Sequence, residues 1–286
     1  MTGSQLSPPR DPAVVSPSPA HTRLWLLLKG ALYLVVLAAL IHALRGLLPN
    51  PTSSAVIGAV LVSLAAARMG MDPGDDAMPY RTMFRATFAP VLIASAALLA
   101  TVATGANTTL RTPGVSLLFT FVEVAAIAYR NELWLRGMPL YIARRAGVDH
   151  RWATAYTVLL AVGAVLLMRG SGWQGLVLVA SSGLFFALQW QRGSHRWTVV
   201  AAHAAWLLLA DGLLAGEVLR VGKQAGRIGG GASATGPFAW VASLGFLAAA
   251  AMTWRARWQP RKAAAQADVV APAAAHLPPH EVDALP

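Results

Sequence analysis

Eight apolar blocks divide this chain, and most are long enough to cross a bilayer as a helix. They lie near 24–44, 54–67, 88–105, 115–131, 153–168, 173–190, 197–215 and 237–254. Crossing the hydrocarbon core takes about 20 predominantly apolar residues in a helix. The expected fold is therefore all-α, a polytopic transmembrane bundle of about eight spans with no soluble domain large enough to fold alone. Composition agrees, because apolar residues make up 56% of the 286 and charged ones 12%. A soluble domain carries about a quarter charged residues. Gly and Ala are common inside the blocks, which suits close helix packing in lipid. Several Trp residues, among them Trp173, Trp197, Trp240 and Trp254, stand near block ends, where interfacial Trp collects.

A net charge of +11 raises the question of nucleic acid. The basic residues do not form one patch, however; they gather in alternate loops. Of the 23 Lys and Arg residues, 16 fall in the segments that are inside if the N-terminus is inside, 6 in the outside segments, and Lys29 within the first block. That asymmetry is the signature of helices oriented by a membrane. It predicts a multi-pass protein of a bacterial inner membrane, with both termini cytoplasmic and no nucleic-acid partner. Residues 1–22 are Pro/Ser-rich and 259–286 Ala/Pro-rich, so both read as disordered cytoplasmic tails around a membrane domain at 23–258. The block Leu24–Leu44 is too long for the apolar stretch of a signal peptide and reads as a retained helix. The chain has no Cys, which excludes disulfides, thiolate metal sites and a Cys nucleophile.

The stretch with the most chemistry is Val122–Gly147. There a membrane helix runs into Asn131-Glu132-Leu133-Trp134-Leu135-Arg136-Gly137. Glu132 and Arg136 are four apart, share a helix face and can pair. An ionisable group at this depth is costly unless it is paired or functional. Glu123 stands about 180° around the helix from Glu132 and shares a face with Arg130, which predicts a second internal pair. Downstream, Gly193-Ser194 precedes a block that presents His203 within Ala201-Ala202-His203-Ala204-Ala205-Trp206. Glu132 lies at the inner end of the fourth block and His203 about two turns in from the inner end of the seventh, so the two are expected to meet if these helices pack together. Asp211 and His42 lie toward outer ends and read as local polar contacts.

These residues resemble the motifs of the CAAX-protease and bacteriocin-processing (Abi) family of intramembrane proteases. Its first motif, EE-x-x-x-R-G, is matched by Glu132, Arg136 and Gly137, with Asn131 in place of the first glutamate. Its late motif is matched by His203, with Leu207 where the family has Asn. Its intermediate motif, Phe-x-x-x-His, is placed on the fifth block near Val162–Leu166, where no His occurs. Phe186 and Trp190 are set aside because Trp190 is only 13 residues before His203. The resemblance covers roughly 88–215 and implies an endopeptidase acting on a membrane-associated peptide or protein. Glu132 would activate water, Arg136 would orient Glu132, and His203 would help stabilise the tetrahedral intermediate; Asn131 would either donate to a substrate carbonyl or stand as a helix-terminal polar residue. One Glu and one His are too few ligands for an ordinary zinc site, and no cofactor is otherwise implied. The missing motif residues point equally to a second reading, a catalytically inactive relative that binds a substrate or partner in the membrane. Among other membrane proteases, Gly231-Ala232-Ser233-Ala234 only faintly resembles a rhomboid serine motif, and there is no HExxH.

Overall fold

A computed structural model describes residues 20–71, 80–106, 108–110, 112, 114–169, 172–192, 196–217, 219–221 and 234–274. Nine α-helices appear among them: α1 (Ala20–Leu47), α2 (Pro51–Arg68), α3 (Tyr80–Ala103), α4 (Ser116–Glu132), α5 (Met138–Arg145), α6 (His150–Arg169), α7 (Trp173–Gln191), α8 (Arg196–Leu207) and α9 (Gly236–Ala274). Two π-helical stretches extend them, Leu133–Gly137 between α4 and α5, and Leu208–Glu217 after α8. The expected all-α class holds. Among the described residues the one addition is a two-stranded antiparallel ribbon of β1 (Thr108–Leu110) and β2 (Leu219–Val221), with Thr109 opposite Arg220.

Among the described residues, five helices are long and apolar enough to cross a membrane: α1, α2, α3, α7 and the Gly236–Ala256 part of α9. The blocks expected near 115–131, 153–168 and 197–215 are also helical. Two of them continue in π geometry: α4 has 17 residues before its π turn, and α8 has 12 before the second π stretch. The tails expected at 1–22 and 259–286 fall partly outside the described residues. Where they are described the backbone is helical: α1 begins at Ala20, and α9 continues to Ala274. The Lys262-Ala263-Ala264-Ala265-Gln266-Ala267 run in the second tail is built from strong helix formers.

Local signals set the helix ends. Asn50 caps α2 by accepting from the amides of Thr52 (2.9 Å) and Ser53 (3.4 Å), with Pro51 in the first turn. Asp149 caps α6 by accepting from the Arg151 amide at 2.9 Å, and that bond holds its carboxyl below the usual range. Gly147 ends α5 at φ +66°, and Val148 N–H reaches back to the Ala143 carbonyl at 3.0 Å, which only a residue without Cβ accommodates easily.

Two apolar cores meet at the π turn. One gathers Phe185, Phe186, Trp206, Phe238 and Phe246 from α7, α8 and α9, closed by Ile93 and Ala97 of α3. The other joins Leu34, Leu37 and Ile41 of α1 to Val62 of α2 and to Leu133, Trp134 and Met138. Between α1 and α6, beside Trp134, lies an apolar cavity of about 110 Å³.

Loop contacts divide the bundle into two ends. At one, Tyr141 donates to the Gly70 carbonyl (3.3 Å), Gln191 donates to the His150 carbonyl (3.0 Å), and Arg151 lies over Trp254 (5.8 Å). At the other, β1 pairs with β2, and Gly236 N–H donates to Gln174 (3.0 Å).

Candidate active site

Four elements converge on Glu132. It is the last residue of α4 and has no solvent exposure. The turn that follows is π-helical, with the Met138 N–H bonded five residues back to the Leu133 carbonyl. Pro139 comes next and has no N–H to give to Leu135, so the α-ladder is interrupted there in any case. Wide turns of this kind recur where a helix must aim side chains at a site.

Arg136 Nη1 donates to Glu132 Oε1 at 2.6 Å, and His203 Nδ1 lies 2.5 Å from the same oxygen. Because Oε1 can only accept when ionised, this places a proton on Nδ1. Trp190 Nε1 donates to the other oxygen, Oε2, at 2.8 Å. The Phe186 ring stacks on His203 at 4.8 Å between centroids, and the Arg136 guanidinium lies 5.2 Å from the centre of the same ring. Arg136 and His203 are 4% and 5% exposed. Isolated, such a carboxylate could not stay charged in an apolar interior; paired with a guanidinium and with both oxygens hydrogen-bonded, it can. Arg136 Nε is the group in this cluster left buried without a partner.

Of the site residues expected from the sequence, Glu132, Arg136 and His203 are brought together. Asn131 is not. One residue along a helix turns the side chain by about 100°, and Asn131 Oδ1 instead accepts from Arg130 Nε (3.2 Å) and Nη2 (3.1 Å). That geometry also replaces the expected Glu123–Arg130 pair, which does not form among the described residues. Arg130 runs across Gly58 of α2, where a Cβ would come within 3.2 Å of its Cδ.

Phe186 and Trp190, which do not fit the motif placed on the fifth block, nevertheless touch the cluster. Phe186 lies five residues from the end of α7, and His203 seven from the start of α8. At 1.5 Å per residue those are depths of about 7 and 10 Å from the connection between them. A helical hairpin brings positions at such similar depths near one another, and depth from the turn is the signal the sequence offers. The fifth block plays no such part: Gly163 and Ala164 line the apolar cavity beside Trp134. Gly231, Ala232 and Ser233 lie outside the described residues. Among the described residues no group of three or more His, Cys, Asp or Glu side chains is gathered as a metal would require; the cluster itself offers Glu132 and His203.

Fold and site together define a helical bundle, five of its helices fit to cross a membrane, around one buried carboxylate–guanidinium–imidazole cluster. No protein-family model, curated protein or solved structure matches the chain.

Proposed function

We propose that the chain is an intramembrane endopeptidase of the CAAX-protease type, acting on a membrane-associated peptide or lipoprotein. The observation that carries this reading is the 2.5 Å contact between Glu132 and His203, 71 positions apart, in an interior where an ionisable pair is costly to keep. In the reaction, a water on Glu132 gives up a proton to the carboxylate as its oxygen attacks the scissile carbonyl. The tetrahedral intermediate expels the amine, which takes the proton back from Glu132. Arg136 holds the carboxylate in place, and His203, in contact with Glu132 Oε1, is the group that would stabilise the tetrahedral intermediate.

A specific observation favours the second reading, a non-catalytic relative. Glu132 is closed off, and Trp190 occupies its second oxygen. The deciding experiment uses Glu132→Gln, which keeps the shape and the neighbours but accepts no proton from water. Membranes containing the chain should cleave a lipid-anchored or transmembrane test peptide, and Glu132→Gln should reduce that by at least 10²-fold while accumulating normally. Cleavage that persists in Glu132→Gln, or none by the parent across a peptide panel, removes the protease reading.

The same proposal includes eight crossings of a bacterial inner membrane with both termini cytoplasmic. The loop contacts support it: Gly70, Tyr141, His150, Gln191 and Trp254 meet at one end, and all belong to segments that the charge asymmetry puts inside. Reporter fusions after Arg151 and after Trp254 should both read cytoplasmic.

A further inference from the structure

Water has to reach Glu132 if the reading above holds, yet Glu132 is fully enclosed. Three side chains hydrogen-bond to it. Arg136 and His203 are both buried. Trp190 is the one that is only partly buried, and it stands one residue from the end of α7. Its ring packs against Leu140, Ala143 and Ala153, the small core at the basic end of the bundle. It also lies on Gly137, where a Cβ would come within 3.2 Å of its Cη2. The oxygens of Glu132 are divided accordingly. Among the described residues, Oε1 is taken by Arg136 and His203, and Oε2 by the indole N–H alone. Oε2 is therefore the oxygen a water can take without breaking the ion pair, and the indole holds the place that water would occupy.

We infer that Trp190 is a gate over Glu132. In the closed state its N–H substitutes for the water on Oε2 and its ring covers the approach from the basic end. Rotation of the indole frees Oε2 and opens the approach, and the 2.8 Å bond to Oε2 holds it shut. The catalytic meaning of the gate rests on the protease reading; the access it controls does not.

Because the chain has no cysteine, a single His203→Cys substitution reports access to the cluster cleanly. In inside-out vesicles, a charged methanethiosulfonate should label His203→Cys slowly with Trp190 present. It should label at least tenfold faster with Trp190→Ala. Two further cysteines serve as controls in both backgrounds: Arg144→Cys on the exposed surface should react at an unchanged rate, and Ala242→Cys in the core should stay protected. Equal rates for His203→Cys with and without Trp190 would overturn the gate. If Ala242→Cys becomes reactive in Trp190→Ala, the packing itself has loosened, and Trp190→Phe takes its place. Phe keeps most of the cover but lacks the N–H, so the gate requires labelling several-fold faster than with Trp, and an unchanged rate overturns it. Peptide cleavage by Trp190→Ala with His203 intact separates the two claims. An open but inactive site leaves the gate standing without the protease; cleavage by the parent with labelling unchanged leaves the protease without the gate.

Discussion

Helices α1 and α7 are buried to different extents, although both are apolar enough to cross a membrane. In the apolar stretch of α1 22% is buried, and in that of α7 50%. In a water-soluble protein a helix as apolar as α1 would not stay so exposed, because apolar residues collect inside. Here the surroundings of α1 are the apolar phase, so its exposed Leu24, Leu28, Leu32 and Val36 are solvated by lipid. The interior is where the polar groups can be satisfied. Ser181 and Ser182 of α7 return their hydroxyls to backbone carbonyls one turn back (3.0 and 2.7 Å), and Gln191 donates to Thr154 at 2.9 Å. Packing and hydrogen bonding, not escape from water, hold such a bundle together.

The largest effect that follows separates these helices. Phe186 has no exposure and touches both His203 and Arg136; Leu32 is 65% exposed. Phe186→Ala should destabilise the protein by about 3 kcal/mol, from the cavity and the lost ring contacts. Leu32→Ala should stay within about 0.5 kcal/mol. Thermal unfolding in lipid bicelles measures both. Comparable losses would mean that α1 is buried against something, a second copy included, and the contrast between the helices would fail.

The sequence makes one side of this contrast plain and hides the other. Every block expected to be apolar and helical is helical, since length and hydropathy depend on the surrounding phase and need no knowledge of packing. The Glu132–Arg136 pair is legible because four-residue spacing is a property of one helix. His203 is legible only through its likeness to a motif. Phe186 and Trp190 reach the cluster through the packing of α7 against α8 and the π turn, which no motif spacing shows. Asn131 stands where the resembled motif has its first glutamate, yet adjacent helical residues point in different directions and its side chain meets Arg130. Contacts within a helix can be read off its spacing, but contacts between helices depend on a crossing geometry that spacing does not carry.

A smaller effect tests how α1 is seated. Gly30 faces Ile142 of α5 so closely that a Cβ would come within 2.8 Å of two of its carbon atoms. Gly30→Ala should cost about 1–3 kcal/mol, the usual range for overpacking. Ile142→Ala in the same chain should recover much of that loss by making room. Recovery reports direct contact, and its absence would show that α1 can shift along α5 to avoid the clash. A helix that shifts freely is held mainly by lipid, which would sharpen the contrast with α7.

The smallest effect concerns the hydrogen bond that ties α1 to the site. Trp134, two residues after Glu132, is 2% exposed and donates from Nε1 to the Leu34 carbonyl at 3.3 Å. That carbonyl belongs to the interior of α1 and already accepts within the helix, so the indole uses its second lone pair. Trp134→Phe therefore leaves no buried acceptor without a donor, and the hydrogen-bonding cost is the net value of one bond, about 1 kcal/mol. The lost ring volume enlarges the cavity between α1 and α6 and adds up to about 1 kcal/mol. Unfolding in bicelles gives the cost, and the infrared band of a carbon-13 carbonyl at Leu34 should move to higher frequency as the bond is lost. A loss as large as that of Phe186→Ala would show that α1 depends on this single bond as strongly as α7 depends on its core. The exposed first helix would then be part of the site's scaffold, and the division between a lipid-facing rim and a packed centre would not hold.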